Sequence, residues 1–255
     1  IDKFKLDAAI IFSDILIPLE PMGVEFEFAK REGPVFHHPL RERKDIEKLR
    51  IIEPEEDVSF LMKAIQIVRK ELEGKIPLIG FCGAPFTLAS YIIEGGHSKN
   101  YVLTKSMMYQ DRPTWDALME KISEVLIRYL NAQIRAGVQA VQVFDSWVGC
   151  LSPRDYEEHA LPFSKKVMDG VDKKVPLIHF ATSSSTLLEL MKQAGGDVIG
   201  VDWRVDIREA WTRLGYDVAI QGNLDPVILF SSVDLIKKEV KTILNLVKGR
   251  PGHIF

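Results

Sequence analysis

The stretch RPTWDALMEKISEVLIRYLNAQIRAGVQAVQVFDS, residues 112–146, carries two periodicities in succession. Trp115, Leu118, Met119, Ile122, Val125, Leu126, Tyr129, Leu130 and Ile134 recur at three- and four-residue spacing, the pattern of a helix with one apolar face. Pro113 stands near its start, where a missing N–H costs nothing, and Gly137 stands just past its end. The run AVQVFDS that follows is short and largely apolar without clean alternation, as in a strand covered on both faces. A helix feeding such a strand is the repeating unit of a parallel α/β sheet.

Working outward, strand-length runs recur at DAAIIFSD (7–14), IPLIGFCG (76–83), VPLIHFA (175–181), VIGVDW (198–203), VAIQGN (218–223) and GHIF (252–255). Helical patterns over 55–73, 153–170, 183–194, 206–214 and 232–248 separate them. Seven strand signals are one short of the eight that close a barrel, so the expected fold is a single α/β domain over 1–255, a (β/α)8 barrel of TIM type. IDKFKLD reads as the end of a helix, and the reading expects a first strand before Ile1 and the tip of the last strand beyond Phe255. A doubly wound sheet binding a dinucleotide would need a glycine-rich turn after its first strand, and FSDILIPLE contains no glycine. Residues 17–53 read as an insertion with a hairpin-like excursion, because GVEFEF alternates and GPVFHHP follows.

Composition narrows the functional classes. With 46% hydrophobic and 27% charged residues among 255, the chain reads as an ordinary globular protein. Lys plus Arg (33) nearly balances Asp plus Glu (36), and no basic run interleaves with aromatics, which argues against nucleic acid as partner. No apolar run reaches the roughly 18–20 residues that span a bilayer, so no membrane role and a cytoplasmic location are expected. Cys82 and Cys150 lack the spacing of a metal or redox motif and read as packing residues in a reducing compartment. His37 and His38 lack further ligands and read as exposed loop histidines.

In a barrel the active site forms at the carboxyl ends of the strands. The residues closing the runs are Asp14, the turn at Cys82, Asp145 with Ser146, the ATSSS segment from Ala181, Asp202 and Asn223. Several suit helix N-caps instead, and Ser152, Ser183 or Ser184, and Ser232 are read that way. Asp14 fits capping less well, because ILIPLEPMG is an apolar, proline-broken loop; its carboxylate would be desolvated unless an N–H-rich or cationic ligand met it. Three strand-end aspartates could also hold a hard cation such as Mg²⁺ for a metal-assisted lyase or hydrolase, although Asp202 could equally organise a turn. In GFCGAPFTLASYIIEGGHSKNY (80–101) the glycines and Pro85 make a tight strand-to-helix turn, with Tyr91 two turns into the helix. On spacing alone Tyr91 reads as a core tyrosine with a wet hydroxyl.

FSDIL, GFCGAPFTLASYIIEGG, VQVFDSW, VIGVDWR, QGNLDP and GRPGHIF together resemble the uroporphyrinogen decarboxylase family over essentially the whole chain. The resemblance implies a (β/α)8 barrel that removes four acetate carboxyl groups from a reduced tetrapyrrole, uroporphyrinogen, with no cofactor and no metal, and that works as a homodimer. It implies that Asp14 accepts hydrogen bonds from the inward pyrrole N–H groups, that Tyr91 lies near the substrate's acid groups, and that Ser146 hydrogen-bonds a side-chain carboxylate. Phe144 would pack on the ring edge. Arg204 is a weaker substrate-binding candidate, equally readable as a surface or salt-bridged arginine. The family's arginine motif would lie before Ile1 and its late histidine beyond GHIF, so His253 takes no such role; a protein of these residues alone is expected to be inactive and poorly stable. Two rivals differ in class: a zinc-dependent corrinoid or thiol methyltransferase of the same superfamily, and a non-catalytic tetrapyrrole-binding protein. LIHFATSSS offers no cysteine after His179, which reads as a hydrogen-bonded core histidine rather than a zinc ligand.

Overall fold

The computed structural model describes residues 4–29 and 33–255. Its strands are β1 (Ala9–Ile10), β2 (Phe26–Ala29), β3 (Gly33–Phe36), β4 (Leu78–Gly83), β5 (Ala140–Asp145), β6 (Leu177–Ala181), β7 (Val198–Gly200), β8 (Ala219–Gln221) and β9 (His253–Ile254). Seven form one parallel sheet in the order β1-β4-β5-β6-β7-β8-β9. These are the seven runs read from the sequence, in chain order, with helices between them, so the α/β barrel-type architecture holds. The sheet is curled: Gln221 Nε2 on β8 lies 3.5 Å from Gln142 Oε1 on β5, although two strands intervene. Strands three apart in a flat sheet would be separated by about 14 Å.

The Arg112–Ala136 helix explains why the strands are covered. The Asp111 side chain accepts from the Thr114 N–H, Pro113 occupies the first turn, and Gly137 ends the helix at φ 117°. Its apolar face buries Trp115, Leu118, Met119, Ile122, Leu126, Tyr129 and Leu130 against the sheet and the neighbouring helices, each contributing roughly 1.5–3 kcal/mol. β2 and β3 pair antiparallel, Phe26 opposite Phe36, with their rings stacked at 5.2 Å. Among the described residues no helix is long and apolar enough to cross a membrane.

Three boundaries differ from expectation. The 153–170 pattern is two helices, Pro153–His159 and Leu161–Gly170, because Pro162 cannot donate to a continuing helix. The 55–73 pattern breaks at Val58 into Pro54–Asp57 and Ser59–Glu71. The 183–194 helix begins only at Leu188, so neither Ser183 nor Ser184 caps it, whereas Ser152 and Ser232 do cap theirs. Residues 1–3 of the expected terminal helix lie outside the described residues, and residues 4–8 are not helical.

Candidate active site

Alternation along β5 sorts its residues between two environments. Gln142, Phe144 and, just past the strand, Ser146 face the inside of the curl, where they line clefts at its carboxyl end. Asp145 faces the opposite way, fully buried among the helices; it accepts from Thr87 Oγ1 at 3.3 Å and Ser164 Oγ at 3.4 Å. This removes Asp145 from any three-aspartate cation site, since Asp14 and Asp202 lie on the other side of the sheet.

Asp14, Phe81, Phe144 and Ser146 line one open cleft of about 300 Å³, with Phe12 nine-tenths exposed at its rim. The Phe144 ring is gripped edge-on by Phe81 (5.5 Å) and Phe180 (5.8 Å). Asp14 Oδ1 accepts the Leu16 N–H at 2.8 Å, so one oxygen organises the turn that leads into the Leu19–Met22 helix. The expected loop after Asp14 is therefore partly a capped turn, because Leu16 and Leu19 bury and pull the chain round. Among the described residues the other carboxylate oxygen takes no hydrogen bond, and it is the one available to a ligand.

Tyr91 sits beside this cleft, half-buried, its ring between Phe36 of β3 at 6.3 Å and Trp147 at 5.8 Å. Burial pushes its phenol up; contact with Trp147 opposes this, and the nearby negative charge of Asp14 adds to it. Trp147 also meets His97 (5.6 Å) and Tyr101 (6.0 Å), making it the hub on which the 95–101 loop closes.

Ser146 is also part of the wall of a second cleft, of about 320 Å³, with Lys99, Thr182, Ser183 and Arg204. Buried Asp202 organises that cleft, accepting from the Ser183 N–H, the Arg204 N–H and Arg204 Nη1. Arg204 is thus both salt-bridged and cleft-lining, with its guanidinium 4.1 Å from the Trp203 ring. Ser183 adopts φ 53°, held there by Asp202.

Several residues take other roles. His179 is fully buried with Nε2 3.7 Å from Asp145 Oδ2, and neither ring nitrogen has a hydrogen bond among the described residues. It is a core histidine, but not the hydrogen-bonded one expected: Asp145 already serves two hydroxyls and stands too far off. Burial pushes the Cys82 thiol far up and Cys150 to about 11, so both are neutral thiols that pack. A larger cleft of about 610 Å³ lies by His37 and His38, which are exposed and 3.9 Å from Glu27 and Glu25. It sits at the base of the β2–β3 hairpin and gathers none of the site candidates.

Asp14, Phe144 and Ser146 are brought together in one cleft, Tyr91 beside it, and Arg204 in the adjoining one through Ser146. Sequence reading missed Phe81, Trp147, Lys99 and Ser183. Trp147 carried a usable signal, directly following FDS at a strand end; Lys99 sits in a loop whose path only packing decides.

A model of the family described as uroporphyrinogen decarboxylase (URO-D) matches residues 1–255. The chain is 57% identical to the uroporphyrinogen decarboxylase of Carboxydothermus hydrogenoformans over 99% of its length and 73% of that protein's. It is 55% identical to the one from Sorangium cellulosum, again over 99% of the chain and 73% of the relative. Among solved structures, a methyltransferase from Methanosarcina mazei superposes with a TM-score of 0.81 at 21% identity, covering 98% of this chain and 74% of that one, which shows a shared fold. With all of residues 1–255 matched by the family model and curated relatives more than half identical, this chain belongs to the uroporphyrinogen decarboxylase family.

Proposed function

We propose that the natural, full-length protein catalyses decarboxylation of the four acetate side chains of uroporphyrinogen III to give coproporphyrinogen III in tetrapyrrole biosynthesis, and that residues 1–255 alone are inactive. The observation that carries this is the convergence of Asp14, Phe144 and Ser146 in one apolar-walled cleft at the strand ends. A reduced macrocycle, bent at its four methylene bridges, offers apolar pyrrole faces for Phe144 and the exposed Phe12, and inward N–H donors for a carboxylate.

In this reading the unbonded oxygen of Asp14 accepts from the pyrrole N–H groups. Protonation of a pyrrole carbon makes the ring a cation, which the fixed charge of Asp14 stabilises, the more so between apolar walls. The bond between the acetate methylene and its carboxylate then breaks. CO₂ leaves, and the electron pair flows into the cationic ring. A proton delivered to the methylene carbon and one lost from the ring leave a methyl group, so each turn consumes one proton and releases one CO₂. Ser146 orients a side-chain carboxylate, and Tyr91, a neutral phenol that burial pushes further up, donates a hydrogen bond near the acid groups. The homodimeric state and cytoplasmic location follow the family resemblance and are checked by sedimentation and fractionation.

The test is anaerobic incubation of the natural, full-length protein with uroporphyrinogen III and a metal chelator, following products by chromatography. Appearance of coproporphyrinogen supports the reading. Asp14→Asn, which keeps an oxygen for the Leu16 N–H, should lower kcat by about 100-fold or more. Activity restored only by zinc would favour the methyltransferase, and tight binding without turnover the non-catalytic carrier. The methyltransferase reading has lost support in one respect, because His179 faces the helix layer rather than the clefts.

A further inference from the structure

We propose that Arg204, Lys99 and Ser183 form a second carboxylate subsite beside the ring cleft, holding a side-chain acid of the macrocycle away from Asp14. The proposal rests on the functional reading above for the identity of the ligand.

Ser146 belongs to the walls of both clefts, so they adjoin at one residue. A macrocycle seated against Asp14 and Phe144 projects its acid arms outward, and an arm passing Ser146 enters the second cleft. The two clefts differ in chemistry. Phe12, Phe81 and Phe144 dominate the first. The second presents the hydroxyls of Ser146, Thr182 and Ser183 and two cations beside Tyr101 and Trp147, and among the described residues no carboxylate side chain lines it.

The two cations are prepared differently. Arg204 is pinned by Asp202, which also holds the Ser183 and Arg204 backbone N–H groups, and it lies against the Trp203 ring. Only Nη1 is engaged among the described residues, so Nε and Nη2 remain as directed donors whose geometry is fixed before a ligand arrives. Because Asp202 neutralises Arg204, the net positive charge of the cleft comes from Lys99, which has no ion pair among the described residues. Arg204 therefore supplies geometry and Lys99 supplies charge. Asp202 is a positioning residue, touching no ligand itself.

The experiment compares the full-length protein with Lys99→Ala, Arg204→Ala and the double variant. Binding of uroporphyrin, the oxidised octacarboxylate, is read by tryptophan quenching at two salt concentrations, and turnover of uroporphyrinogen is read in parallel. We expect each single variant to raise Kd and KM about tenfold with kcat within about threefold. The salt dependence of binding should shrink in Lys99→Ala and in Arg204→Ala alike, because loss of Arg204 leaves Asp202 unneutralised. Coproporphyrin as a second probe identifies the arm: weakening for both porphyrins assigns a propionate, and weakening for uroporphyrin alone an acetate. Unchanged Kd and KM in the double variant, with normal thermal unfolding, overturns the subsite while leaving the decarboxylase reading intact. Weakened binding in the variants without turnover in the parent overturns the decarboxylase reading and keeps the subsite. A parent protein that neither binds uroporphyrin nor turns over uroporphyrinogen overturns both.

Discussion

The side-chain amide of Gln133 grips the backbone of Phe81 at both ends, Oε1 accepting the Phe81 N–H at 3.0 Å and Nε2 donating to the Phe81 C=O at 2.9 Å. Among the described residues β1 pairs with β4 only at Leu78 and Ile79, and the Ile11 N–H bonds the Ile79 C=O, so the groups of Phe81 that point the same way find no described strand beside them. Gln133, reaching in from the Arg112–Ala136 helix, completes the ladder where β1 has ended. Gly80 makes room: a Cβ there would run into Gln133 Oε1.

Gln133→Leu should therefore cost about 3 kcal/mol of stability, because it strands a buried N–H and C=O in strand β4. Urea unfolding measures it. Since Phe81 is a wall of the ring cleft, KM should rise as well; a variant as stable as the parent would show that water or a shifted backbone replaces the amide.

Asp145 accepts two buried hydroxyls and stands 3.7 Å from His179. Asp145→Ala should destabilise the fold by about 3 kcal/mol while the kcat of the folded fraction changes less than threefold, as its carboxylate faces away from substrate. A large loss of kcat at full stability would return Asp145 to the active site.

His159 Nδ1 lies 3.2 Å from Arg112 Nη1, and a guanidinium can only donate, so the ring must be neutral to accept. Burial first and Arg112 second hold its pKa below 6.5, against the opposing pull of Glu158, Asp155 and Asp116. Below pH 6.5 the unfolded chain then binds more protons than the folded one, so this histidine makes stability fall as pH falls, by at most about 1.4 kcal/mol per pH unit. Above pH 6.5 it contributes no slope. His159→Gln should flatten the decline in Tm between pH 6.5 and 5; parallel curves for variant and parent would refute the assignment.

Gly149 packs where a Cβ would press into the Thr182 carbonyl and lie 2.6 Å from Ser183 Cβ. Gly149→Ala should cost about 2 kcal/mol and raise KM, because the backbone that must give way carries the second cleft. Calorimetry with steady-state kinetics separates the two effects, and unchanged KM would place the adjustment elsewhere.

Periodicity and capping are local properties of the chain, which is why seven strands, the Arg112–Ala136 helix and the caps at Ser152 and Ser232 could be read before any packing was known. The candidates Asp14, Phe144 and Ser146 were legible for a related reason: in a parallel α/β sheet, position along a strand decides which end a residue occupies. Side and neighbour were not legible. Asp145 and Ser146 are adjacent in sequence yet one is sealed among helices and the other lines two clefts, and this depends on the pleat's phase relative to the layers. Ser183 looked like a helix cap because its residue type suits one; Asp202, 19 residues away, bonds its backbone instead. Lys99, Trp147 and Arg204 converge through a loop path, an aromatic hub and a buried carboxylate, all long-range contacts with no periodic trace. Residue type and spacing determined the elements and the family, whereas the curl of the sheet decided which side chains share a cleft, because only curvature brings non-neighbouring strands within reach of one another.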